Sequence, residues 1–255
     1  MKRRVQAKAQ KSQEPIITSD AFYRTFHLKC GTRKGAGFTI DVDGRQYLVT
    51  AAHLVRHFQN GAVLEMLHGG KWKPIAAVAV GYAPPQIDVA VLALKLRLTL
   101  PEFRFEPGMA GLTSAQDVYC LGFPLGDWGV EGASTQKFPT AFVKKATVSY
   151  LPDGASPVRC LYLDGRSNPG FSGGPVVFRN SGPGETQGGM QGEMQGGMKV
   201  AAVVSAFQYE NEPVYMGSAS IHLSAQGNPD LILSYDIQHA LDLINLNPIG
   251  FQLID

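Results

Sequence analysis

The chain has 255 residues, 44% of them hydrophobic and 17% charged, with a formal net charge of +2. These proportions fit a folded globular protein and exclude a wholly disordered polymer, and so small a net charge gives no case for a nucleic-acid binder. No apolar run is long enough to span a bilayer, while the length suffices for one large core or two smaller ones.

Residues 1–17 read as a disordered basic arm, since Lys2, Arg3, Arg4, Lys8 and Lys11 stand among Gln and Ala with no acid in the first eleven residues. No secretory-type apolar segment follows before Glu14-Pro15, so the expected location is cytoplasmic, without a membrane span. Short apolar or alternating runs then recur at 37–42, 46–50, 75–81, 89–94, 118–121, 141–148, 159–163, 175–178, 200–206 and 231–233. Turn residues separate most of them, the pattern of an all-β protein. Asp43-Gly44 between the first two runs is a hairpin signal. Residues 181–198 hold a near-repeat of Gln-Gly-x-Met. So many glycines cannot offset their ordering entropy, which favours a flexible insertion over a methionine-lined copper site. Near the end, Asp236 can cap a helix over 236–246 in which Ile237, Leu241 and Ile244 recur at i, i+4 and i+7. Cys30, Cys120 and Cys160 are odd in number and sit in mostly apolar contexts, as free buried thiols in a reducing compartment would.

Three residues carry chemistry. Ser172 lies in Asn168-Pro169-Gly170-Phe171-Ser172-Gly173-Gly174-Pro175, where small residues leave a hydroxyl approachable and let backbone N–H groups come near a substrate. Alone, this stretch reads equally as a glycine-rich turn with an incidental serine. Upstream, His53 follows an apolar run and three small or hydroxyl residues, Thr50-Ala51-Ala52, and imidazole is the natural base at neutral pH. Asp88 sits at the mouth of the apolar run Val89–Leu94, where a carboxylate needs a hydrogen-bond donor such as a histidine Nδ1–H. His53 and His57 also stand at i, i+4, but a zinc hydrolase needs Glu where Leu54 stands. Spacing suggests no third ligand, so no metal or other cofactor is expected and His57 reads as a surface residue.

Thr50-Ala51-Ala52-His53, Asp88-Val89-Ala90-Val91-Leu92 and Gly170-Phe171-Ser172-Gly173-Gly174-Pro175 together resemble the signature blocks of trypsin-like serine proteases, in particular the bacterial Deg or high-temperature-requirement type. Lys34-Gly35-Ala36-Gly37-Phe38 and Tyr119–Gly126 add to the resemblance, which reaches from residue 34 to residue 175. It implies two antiparallel six-stranded β-barrels with the active site in the cleft between them and a C-terminal helix on the second. On that plan residues 18–130 form the barrel bearing His53 and Asp88. Residues 131–255 form the barrel bearing Ser172, the insertion 181–198 and the helix, with the boundary near 125–140.

The implied activity is that of a serine endopeptidase on protein or peptide substrates, through a His53–Asp88–Ser172 triad and an acyl-enzyme. The N–H groups of Gly170 and Ser172 would form the oxyanion hole. Ser205, Ala206 and Phe207 would lie on the strand that pairs with substrate. Gly165-Arg166-Ser167 would floor the side-chain pocket. An inward Arg166 would favour acidic substrate side chains; an outward one is favoured because an unpaired buried guanidinium is costly. Phe171 departs from the family, which carries Asp or Asn there. It either packs under the loop and holds the hole open, or leaves the hole collapsed until a substrate or an activating protein partner binds. The second outcome defines an alternative, a latent peptide-binding module. No PDZ-like domain is expected, since only the helix and Pro248–Asp255 follow the implied barrels.

Overall fold

Asp43 and Gly44 both take positive φ, 48° and 70°, the left-handed pair that a two-residue hairpin requires. They fold β2 (Arg33–Val42) back onto β3 (Arg45–Thr50). This is seen in a computed structural model that describes residues 16–58, 62–124, 139–152, 156–166, 168–179, 198–205, 210–216, 219–227 and 230–253, with backbone alone for 210–227. Residues 1–15 of the arm 1–17, most of the boundary segment 125–140 and the Gln-Gly-x-Met insertion lie outside the described residues, except that Met198 is buried at the start of a strand.

Around the hairpin a curled antiparallel sheet is built from β1 (Thr25–Cys30), β4 (Leu64–His68), β5 (Lys71–Pro74), β6 (Ala77–Tyr82) and β7 (Ala90–Leu94). Its order is β5-β4-β1-β2-β3-β7-β6, and the short β17 (Phe251–Gln252) joins β3. The second sheet uses β9 (Asp117–Gly122), β10 (Phe142–Tyr150), β11 (Cys160–Asp164), β12 (Pro175–Arg179), β13 (Met198–Val204) and β16 (Leu231–Asp236). It closes on itself as the six-strand ring β12-β9-β10-β11-β16-β13-β12. A two-residue strand, β8 (Glu106–Pro107), runs parallel to β13, and β14 (Glu210–Met216) pairs with β15 (Ala219–Gly227) as a separate ladder. The two-barrel architecture is therefore present, with one correction. The second barrel is closed, whereas the first is a curled sheet of eight strands whose outer members do not pair with each other among the described residues.

One apolar cluster fills each sheet, and a third joins them. It runs from Phe38, Tyr47, Val49 and Val91 of the first sheet to Leu121, Val177, Val203 and Tyr235 of the second. The helix α3 (Gln238–Leu246) completes that shared core through Ala240 and Ile244. It lies against β6 and β7 as well as β16, so it straddles the two sheets instead of resting on the second alone. Gly81 explains this: a Cβ there would stand 3.0 Å from Leu243 of the helix. Asp236 caps the helix start, accepting the Gln238 N–H at 2.9 Å. Among the described residues no helix is long and apolar enough to cross a membrane. Cys30 and Cys120 are buried, Cys160 is half-buried, and all three are free thiols.

Arg24, 1% exposed, follows the helix α1 (Ser19–Tyr23) and grips Asp41 with two nitrogens, at 3.0 and 2.5 Å. It also donates to the carbonyls of Phe103 and Thr39. Removing the acid strands a buried guanidinium, so Asp41→Ala should cost about 3 kcal/mol. Urea unfolding measures this directly, and a loss below about 1 kcal/mol would contradict the buried-pair account.

Candidate active site

His53 and Asp88 meet at the open ends of β3 and β7. After β3 the backbone stays extended at Ala51 and then turns into α2 (Ala52–Val55), whose Leu54 and Val55 are buried and fix His53 at the rim. Asp88 is set between buried Ile87 and Val89. Its loop is tied by Ile87 N–H to Pro84 O (2.8 Å), Ala83 N–H to Val89 O (2.9 Å) and the Tyr235 hydroxyl to Gln86 O (2.9 Å).

Three donors converge on this carboxylate. Asp88 Oδ1 accepts the His53 backbone N–H at 2.7 Å, and Oδ2 accepts His53 Nδ1–H at 2.6 Å and the Ser205 hydroxyl at 2.7 Å. Burial pushes the Asp88 pKa up, but the His53 and Ser205 hydrogen bonds and the charge of His53 outweigh it and hold the group below its ordinary value. An ionised carboxylate only accepts, so it fixes the proton on Nδ1 and leaves Nε2 of the neutral ring as the acceptor.

Ser172 is brought to this pair by backbone contacts that only glycine permits. The Ser172 carbonyl accepts the Ala36 N–H of β2 at 2.8 Å, and Gly173 donates to Val204 O of β13 at 2.7 Å. Gly173 has φ +81°, and a Cβ there would stand 2.2 Å from Ala36 O and 2.4 Å from Thr50 Oγ1. The loop thus lies directly on the strand end that leads to His53. The Ser172 hydroxyl donates to Ser205 O at 3.5 Å, and among the described residues no hydrogen bond joins it to the His53 ring. Such contacts are commonly loose before substrate is bound.

Ahead of Ser172, Asn168-Pro169-Gly170-Phe171 forms a turn in which Phe171 N–H faces Asn168 O at 3.5 Å. Pro at the second position and Gly at φ +96° at the third are the marks of a type II turn. The N–H groups of Gly170 and Ser172 donate to no other group among the described residues. Phe171 is 5% exposed and packs in the core of the second barrel, close above Gly122. Its ring therefore packs beneath the loop that carries Ser172.

A family model described as a trypsin-like peptidase domain matches residues 35–182, a span that takes in His53, Asp88 and Ser172. The chain belongs to the trypsin-like peptidase family. Hydrolysis of peptides is the chemistry that membership brings. No curated protein matches it in sequence. Among solved structures it is similar to the Rv3671c protease of M. tuberculosis in an inactive form, at 18% identity and TM-score 0.53 over 90% of this chain and 91% of that one. It is also similar to the HtrA-type protease AlgW with a tripeptide, at 18% identity and TM-score 0.53, covering 89% of this chain and 60% of that one. At these identities the likeness is one of fold.

Other sequence-chosen positions fall into three groups. Arg166 is exposed, while Ser167, Ala206 and Phe207 lie outside the described residues. Ser205 is 5% exposed, and its hydroxyl is turned to Asp88. That contact was not readable in advance, because it joins residues 117 apart and depends on how the two sheets dock.

Proposed function

We propose that this chain is a serine endopeptidase in which Ser172 is the nucleophile, His53 the general base and acid, and Asp88 the group that orients and stabilises the imidazolium. The observation that carries this reading is the Asp88 carboxylate, held by three donors and fixing Nδ1–H of a histidine whose strand end touches the Ser172 loop. In the forward step Ser172 Oγ attacks the scissile carbonyl carbon as its proton passes to His53 Nε2. The carbonyl oxygen takes up the negative charge and is met by the Gly170 and Ser172 N–H groups. His53 then protonates the leaving amine, the C–N bond breaks and an acyl-enzyme remains. Water, deprotonated by His53, releases the acid and restores Ser172.

The test is labelling with a fluorophosphonate probe, followed by mapping of the modified peptide. Wild type should label on Ser172, Ser172→Ala should not label, and His53→Ala should label at least about 10³-fold more slowly. The resting contact of Ser172 with Ser205 O supports a second reading, a latent peptide-binding module. Peptide binding with no labelling under any condition would favour that module and sink the endopeptidase.

A further inference from the structure

β11 accompanies β10 only as far as Thr147↔Asp164, after which the chain leaves the sheet as the loop that leads to Ser172. Lys144, three residues earlier on β10, reaches into that loop. Its Nζ donates to Arg166 O at 2.5 Å and to Asn168 Oδ1, and stands 4.6 Å from the centroid of the Phe171 ring. One ammonium therefore holds residues 166, 168 and 171, and these bracket the Pro169-Gly170 peptide. Asn168 and Phe171 are also the two ends of the type II turn, and their closing contact at 3.5 Å is too long to hold the turn by itself.

The direction of the Gly170 N–H follows from the turn type, because types I and II differ by a rotation of the central peptide. Pinning both ends keeps the turn closed around that peptide. Phe171 contributes an apolar anchor in the core, and its ring face attracts the cation. We propose that Lys144 is a positioning residue whose ammonium staples the two ends of the Asn168–Phe171 turn and so keeps the Gly170 and Ser172 N–H groups aimed at one oxyanion. The inference rests on the reading of Ser172 as nucleophile.

The groups facing Lys144 make the staple titratable. From β9 comes the Cys120 thiol, pushed by burial up to about 12 and so neutral; from the loop come the Arg166 guanidinium, the Asn168 amide and the Phe171 ring. The neighbouring Lys145 is occupied with Asp117. Burial holds the Lys144 pKa below the ordinary lysine value of 10.5; Cys120 opposes this in part, and the Arg166 charge adds a smaller push downward. The staple is thus charged at neutral pH and is lost on the alkaline side before a free lysine would titrate.

The experiment compares wild type, Lys144→Met and Lys144→Arg, using the best fluorogenic peptide from a library and the fluorophosphonate probe. Lys144→Met should lower kcat by about 10²-fold with KM changed less than about twofold, because one oxyanion donor is worth about that much. Lys144→Arg, which restores the donors and the charge, should recover most of the loss. The alkaline fall in wild-type kcat should be absent from the residual activity of Lys144→Met. A kcat for Lys144→Met within threefold of wild type, or a loss residing in KM, overturns the proposal while leaving the Ser172 reading intact. Failure of wild type to label or cleave overturns the Ser172 reading itself. Should Lys144→Met not fold, as judged by circular dichroism, the wild-type profile decides instead. An alkaline limb below 10.5 supports the staple, and a flat profile to that pH refutes it.

Discussion

Asp88→Asn should lower the rate of fluorophosphonate labelling, and kcat on any cleaved peptide, by about 10⁴ while leaving the fold intact. The carboxylate accepts from His53 N, His53 Nδ1 and Ser205 Oγ, and an amide of the same shape can serve only part of that set. If its NH₂ turns to His53, Nδ1 must become the acceptor, and the proton moves to Nε2, where it blocks removal of the Ser172 proton. If its oxygen turns to Nδ1, the NH₂ is left facing the His53 N–H, a donor against a donor. Either outcome spoils the base without opening a cavity, so the melting temperature should fall by only a few degrees. A drop of less than tenfold would remove Asp88 from the mechanism. The sign of the pH effect follows from the depressed Asp88 pKa. The stabilisation that Asp88 contributes is fully present above the ordinary carboxyl value of 3.8 and is lost as pH falls through its lower folded value. Asp88→Asn should therefore flatten the acid side of the wild-type stability profile, which thermal melts across that range would reveal.

How much of this was readable from the residues divides along a physical line. Contacts between chain neighbours were legible: the Asp43-Gly44 turn, the runs that became β2, β3, β7, β12 and β13, and the glycine-rich turn around Ser172. β1 was missed although Phe26, Leu28 and Cys30 alternate cleanly, because His27 and Lys29 between them resemble a solvated face. In the fold His27 is buried, stacked on Phe123 with ring centres 4.6 Å apart. β5, with Lys71 and Lys73 in four residues, carries no apolar pattern and owes its place to pairing with β4. The side chains that finish the site depend on docking. Ser205 reaches Asp88 only because β13 of one sheet closes on the mouth of β7 of the other. Lys144 reaches Asn168 across a strand edge that has no signature in sequence. Phe171 looked like a departure whose consequence was open, and its burial in the second core follows from long-range packing that no local pattern announces.

Gly170→Ala should cost about 10²–10³ in labelling rate, the loss expected when one oxyanion donor is misplaced. Two constraints act at this residue together. Its φ of +96° is one that L side chains rarely adopt, and an added Cβ would lie 2.2 Å from Phe123 O. The backbone cannot back away, because Gly170 O accepts the Phe123 N–H at 2.9 Å and the next residue is anchored in the core. The turn must then either break from Phe123 or rotate its central peptide, and both move the Gly170 N–H. Gly44→Ala separates the steric term from the conformational one. Gly44 has φ +70° but nothing within 4 Å of its Cβ position, on a hairpin remote from the site. That variant should lose about 1 kcal/mol of stability and no activity. If Gly170→Ala behaves like Gly44→Ala, slightly less stable but fully reactive, then the oxyanion is not met at Gly170. The loop that Lys144 and Phe171 hold would then shape the substrate pocket instead of the reacting centre.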